Sequence, residues 1–235
     1  MAMKLNIQMF GAYADANLVL NQSDFERATE GVRNAHTKMD DLFTQQMALF
    51  TRDIHAEVWA DGNCKTWFAG EFTTKTKAQL DSIAEQFNNI LRGLDGLWSN
   101  VCSDLSVSKT GSAGSVSSSG NVDVSATQTD TFDDGTSGRR TYVGKHAETD
   151  MGQLNATLAP ARHALREAVS IIGVYDNLGS NSVQRSVDSA IENINESMAK
   201  FSEDISANVN DVMQMTDQQY NTWAEGLKVS VVDGE

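Results

Sequence analysis

A single proline, Pro160, interrupts the 235 residues, and long stretches of the chain place apolar residues at steps of three and four. Proline removes a helical hydrogen bond and clashes with the preceding turn, so its near-absence permits unusually long helices. The apolar spacing then locates them. From Ser23 onward, Phe25, Ala28, Val32, Ala35, Met39, Leu42 and Leu49 make one stripe, and a second seam of Phe43, Met47, Phe50, Ile54 and Val58 widens it. Ser23-Asp24-Phe25-Glu26 fits a capping box, a hydroxyl followed by Glu three positions on.

A second stripe is longer: Phe72, Thr76, Leu80, Ile83, Phe87, Ile90, Leu94, Leu97, Val101 and Leu105. Gly93 and Gly96 weaken its middle, each by up to ~1 kcal/mol relative to Ala. The segment Trp59 to Gly70, with two tryptophans and two glycines, reads as the turn between these helices. A short turn between amphipathic helices sets them antiparallel, stripe against stripe. A third stripe from about Asp150 holds Met151, Leu154, Leu158, Ala161, Leu165, Ala168 and Ile172. Pro160 inside it predicts either a kink or a helix start near Ala159. The fourth runs through Val183, Val187, Ile191, Ile194, Met198, Phe201, Ile205, Val209, Val212 and Trp223, with Tyr175 to Ser182 as a turn-rich connector.

The expected fold class is therefore mainly α, two long antiparallel helical hairpins forming an elongated four-helix bundle. Hairpin one covers 23–105 and hairpin two 148–226. Between them, 106–147 has another composition. Ser106 to Ser119 is Ser/Gly-rich and reads as a flexible linker. Beyond it, Val122, Val124 and Ala126 alternate with polar residues, and Phe132 and Tyr142-Val143 flank the turn sequence Asp133 to Gly138. That pattern suits a β-hairpin arm, which alone is marginal in water, or an irregular loop; both stand. Residues 1–22 alternate weakly and suit an extended arm, and 227–235 form a C-terminal tail.

Acidic residues outnumber basic ones 32 to 18, a formal charge of -14. Such a surface repels phosphate backbones and anionic head groups, so neither nucleic acid nor membrane is an expected partner. The acidity serves solubility, and any protein partner drawn to it is basic. No segment reaches the ~20 apolar residues of a membrane span, and Asn6 and Gln8 break the apolar run that a signal peptide needs. Cys64 and Cys102, on one helix, would stand roughly 50 Å apart, too far for a disulfide. Two unpaired thiols suit an intracellular or virion setting.

The sequence offers little chemistry. His36, His55, His146 and His163 lack a second ligand at helical spacing, and Asp130, Asp133 and Asp134 lack the alternating ligands and closing Glu of a calcium loop. There is no glycine-rich phosphate cradle and no nucleophile elbow. A non-enzymatic protein without cofactor or metal is expected. Tryptophans Trp59, Trp67, Trp98 and Trp223 suit packing, or interface anchoring where bundle ends are exposed.

Two resemblances add to this reading. Trp59-Ala60-Asp61-Gly62 and Trp67-Phe68-Ala69-Gly70 resemble the Trp-x-Gly turn of WXG-type hairpins of type VII secretion substrates, with one residue more between Trp and Gly. The resemblance covers 23–105 and implies the hairpin shape. That family's export signal sets an acid four residues after a Tyr, where Ala224 follows Tyr220 here. The opening Met3-Lys4-Leu5-Asn6-Ile7-Gln8-Met9-Phe10-Gly11 resembles that of many virion proteins of tailed phages infecting Gram-positive bacteria. It implies a virion structural protein assembled in the host cytoplasm, a homo-oligomer that packs with other virion proteins. The alternative is a WXG-like secreted interaction protein or effector-targeting partner. On either reading the candidate interaction residues are Leu5, Ile7, Met9 and Phe10 in the arm, and Trp59, Trp67, Phe68 and Trp223 at the bundle ends.

Overall fold

The computed structural model describes residues 2–6, 17–57, 62–104, 106–119, 145–178, 181–214 and 222, and they are mainly helical. Strands β1 (Ala2–Asn6) and β2 (Asn17–Asn21) precede helices α1 (Gln22–Glu57) and α2 (Gly62–Asp104). Then come α3 (Lys145–Gly152), α4 (Leu154–Thr157), α5 (Ala159–Ser170), α6 (Gly173–Leu178) and α7 (Ser182–Gln214). The chain divides into two compact units: residues 1–39, 84–117 and 160–193 in one, and 40–83, 118–159 and 194–235 in the other.

In the first unit β1 and β2 pair antiparallel, with Met3 opposite Leu20 and Leu5 opposite Leu18. Residues 2–6 are thus extended, and they have a partner strand in their own chain. The chain passes from β2 straight into α1, which starts one residue before Ser23. α1 buries Phe25, Ala28, Val32, Ala35 and Met39. Phe25 meets Trp98 with ring centroids 4.5 Å apart, and His36 meets Phe87 edge-on at 5.2 Å. Residue numbers rise along α1 as they fall along α2, so the two run antiparallel here. Leu165 and Ala168 of α5, and Val187 and Ile191 of α7, complete the core. α5 approaches α1 so closely that a Cβ on Gly31 would lie 2.7 Å from the Ala168 Cβ. Pro160 is the second residue of α5, where its missing N–H breaks no helical bond; of the two outcomes it predicted, the helix start is the one observed.

The connector before α7 is more ordered than its turn-rich sequence suggests. Gly173–Leu178 is helical, and Asp176, 1 % exposed, reaches forward to the next helix. Its carboxylate accepts the Val183 N–H at 2.9 Å and the Gln184 N–H at 2.7 Å. These are among the backbone donors that the start of a helix leaves without partners, and a carboxylate there also meets the positive end of the helix dipole.

In the second unit the rings of Phe43 (α1) and Phe72 (α2) lie against Phe201 of α7, with centroids 5.8 and 6.4 Å away, and Phe50 lies 5.4 Å from Phe72. Gln46, buried, donates to the Asp150 carbonyl at 2.7 Å and accepts from the Thr157 hydroxyl at 3.1 Å, joining α1 to α3 and α4. Gln79 donates to the Ser197 hydroxyl at 2.7 Å, joining α2 to α7.

Three expectations change. Leu49 is 41 % exposed and Leu42 only half-buried, while Phe43, Met47 and Phe50 carry the stripe. A straight helix turns about 20° per seven residues, which carries the earlier stripe off the core. The segment Trp59 to Gly70 is not one turn, because α2 already begins at Gly62. The third stretch is not one helix but α3 to α6, starting at Lys145 and broken at Gln153, Leu158 and Ile171-Ile172.

Candidate interaction site

The segment expected to be a flexible linker is, within 107–117 of the first unit, an ordered strap. Beyond the end of α2, Ser106 takes the left-handed region at φ 53°. The Ser106 N–H donates to the Ser103 carbonyl at 3.0 Å and the Val107 N–H to the Cys102 carbonyl at 2.9 Å. This is the Schellman arrangement, here with serine where glycine is usual. It reverses the chain and sends it back along α2.

A Ser/Gly segment has little apolar surface to bury, so its order must come from its backbone polar groups. Side chains of α1 and α2 supply the partners. The Trp98 indole N–H donates to the Thr110 carbonyl at 3.1 Å. Asp95 accepts the Ala113 N–H at 3.2 Å, and Arg33 donates to the Ala113 carbonyl. Asn88 accepts the Val116 N–H at 2.8 Å and donates to the Val116 carbonyl at 3.0 Å. Ala113 is the one strap residue that is buried among the described residues. Gly111 and Gly114 take φ values of +79° and +66°. At Gly114 a Cβ would also lie 2.6 Å from the Arg33 guanidinium.

Charge reinforces the clamp. The Lys109 ammonium, hydrogen-bonded to Asp95, and then the Ala113 N–H hold the Asp95 carboxyl below the usual aspartate range, against the opposing effect of burial. In the second unit, the Ser118 hydroxyl donates to Asp81, and the Ser119 N–H donates to Asp40 at 3.1 Å. The Lys77 ammonium and then the Ser118 hydroxyl lower the Asp81 carboxyl. Burial pushes the Cys102 thiol up, and burial, with Arg166 nearby, pulls the Arg162 guanidinium down.

Between strap and α1 lies a groove of about 310 Å³. Phe25, Leu94 and Trp98 line its floor, Glu26, Thr29 and Glu30 one wall, and Thr110 to Ala113 the other. The Thr110 hydroxyl donates to Gln22 at 3.1 Å, closing one end; Arg33, 3.6 Å from Glu30, closes the other. Its polar side chains are carboxylates, an amide, hydroxyls and a guanidinium.

Of the residues singled out from sequence, Leu5 lies in β1, and Trp67 and Phe68 lie in the opening turns of α2. Ile7, Met9, Phe10, Trp59 and Trp223 fall outside the described residues, as do Asp130, Asp133 and Asp134. Trp98, read as a packing residue, does pack, and it also forms the groove floor. The strap's partners lie from 12 (Trp98 to Thr110) to 80 (Arg33 to Ala113) residues away in the chain, and its Ser/Gly composition alone does not point to them. Cys64 and Cys102 both belong to α2, and Cys102 is a free, buried thiol. Among the described residues no His, Cys, Asp and Glu gather as metal ligands, and no helix is long and apolar enough to cross a membrane. No protein-family model, curated protein or solved structure matches this chain.

Proposed function

We propose that this chain is a non-catalytic virion structural or assembly protein of a tailed bacteriophage, acting through helical-bundle packing and an extended N-terminal segment. The observation that carries the reading is the opening Met3 to Gly11, whose first half belongs to a strand, Ala2–Asn6, paired among the described residues only with Asn17–Asn21. A two-stranded sheet has two outer edges, and an edge accepts a further strand from a neighbouring subunit. Four helical runs, α1, α2, α3 to α6, and α7, contribute to the core of each unit. The reading takes them as a four-helix bundle whose one long crossover is 106–144. The rival reading, a WXG-like secreted protein, rests on Trp59 to Gly62 and on Trp67 to Gly70, the second of which lies within α2.

Light scattering coupled to size exclusion, on the full chain and on a truncation of residues 1–21 that leaves α1 intact, tests this. A ring or higher oligomer that dissociates on truncation is the expected result. A monomer or dimer indifferent to truncation would overturn it in favour of the secreted hairpin.

A further inference from the structure

The groove of the first unit is chemically one-sided. Its floor is aromatic, with Phe25 and Trp98 in ring contact, and its α1 wall carries Glu26 and Glu30. The single guanidinium at its end, Arg33, is engaged by Glu30 at 3.6 Å and by the Ala113 carbonyl. Asp95 is engaged by Lys109 and the Ala113 N–H. Glu26 is different: it accepts an uncharged amide, from Gln22 at 2.7 Å, and no cation among the described residues pairs with it. A carboxylate beside an aromatic floor is the setting in which a cation on an apolar stem is held, the stem over the rings and the head at the acid.

The opposite wall says what carries that cation. Gly111 and Ser112 are exposed, and their backbone N–H and C=O groups make no hydrogen bond among the described residues. A Cβ on Gly111 would meet nothing within 4 Å. Backbone N–H and C=O groups left open in this way can hydrogen-bond the main chain of a docked segment, and a groove of about 310 Å³ holds one or two side chains.

We propose that this groove docks a basic segment of a partner protein, which lies beside Gly111 and Ser112 and places a Lys or Arg side chain over Phe25 and Trp98 with its head at Glu26. The chain's net charge of -14 favours the approach of such a partner. The proposal borrows from the interaction-protein reading only in taking a protein as the occupant, and its test is independent of the oligomer measurement.

The test is calorimetric titration of the full chain with the probe acetyl-Gly-Val-Lys-Val-Lys-Gly-amide and with its Glu-for-Lys counterpart. Binding of the Lys probe alone is expected, weakened at least fivefold by Glu26→Gln and by Thr29→Phe, which fills the groove. Glu203→Gln, an exposed acid of the second unit, should leave it unchanged. Unaltered melting of the variants separates loss of binding from loss of fold. Absence of binding, or equal weakening by Glu203→Gln, would overturn the proposal.

Discussion

Asn88 of α2 and Val116 of the strap are joined twice, the Val116 N–H donating to Oδ1 at 2.8 Å and Nδ2 donating to the Val116 carbonyl at 3.0 Å. One side-chain amide therefore completes a backbone unit as a neighbouring strand would. Removing it leaves both backbone groups to find water, and a part-buried hydrogen bond contributes about 1 kcal/mol. Asn88→Ala should cost roughly 1–2 kcal/mol in urea unfolding and speed amide exchange at Val116 well before global unfolding. Asn88→Asp keeps the acceptor and should lie between. Exchange at Val116 that stayed as slow as in the parent would mean that the strap is held by something else.

Gly31 and Gly96 sit in long helices with opposite surroundings. The Cβ that alanine adds at Gly31 would stand 2.7 Å from the Ala168 Cβ, whereas at Gly96 nothing lies within 4 Å. Helix propensity favours Ala over Gly by up to ~1 kcal/mol at either site. At Gly31 overpacking, typically 1–3 kcal/mol, opposes it and wins. Thermal melting should show Gly31→Ala destabilised and Gly96→Ala stabilised. Adding Ala168→Gly to Gly31→Ala should recover part of the loss, and simple additivity of the two changes would argue against the contact.

Asp176 acts on a helix that it does not belong to. Its buried carboxylate holds the N–H groups of Val183 and Gln184, so Asp176→Ala removes two partners at once. A lost cap costs about 1 kcal/mol and a buried unpaired donor 1–3 kcal/mol; a loss of roughly 2–3 kcal/mol is expected. Asp176→Asn retains one good acceptor and should lose about half as much. Equal melting temperatures for all three proteins would remove the cap from the account.

These residues also mark where sequence reading reaches its limit. The third and fourth stripes were legible position by position: Met151, Leu154, Leu158, Ala161, Leu165, Ala168 and Ile172 are all buried, as are Val183 to Ile205 along theirs. Periodicity carries that information because each helix needs only one apolar face. It could not decide between Leu49 and Phe50, since two seams overlapped and only the partner helix selects one. Nor could it show that the third stretch breaks at Gln153 and Leu158, which a continuous stripe conceals. The strap and its groove were hidden for another reason. Ser/Gly composition reports the absence of apolar drive, while order here comes from Asn88, Asp95, Trp98 and Arg33, residues that look like ordinary helix surface or core until the chain doubles back.

The acid limb of stability should isolate the Asp95 clamp. Lys109 and then the Ala113 N–H favour the ionised carboxylate, so its folded pKa lies below its unfolded one. A depressed carboxyl contributes stability that is fully present above the unfolded value, ~4 for aspartate, and that is lost as pH falls through the folded value. The stability difference between parent and Asp95→Asn should therefore be constant from about pH 5 to 8 and shrink toward zero below ~4. Because Asp95 and Lys109 are about one-third exposed, added salt should reduce the difference without abolishing it, the Ala113 hydrogen bond being less sensitive to screening. Denaturant titrations of both proteins across that range would decide the point. A difference that grew toward acid would require the opposite shift and would remove Lys109 from its role.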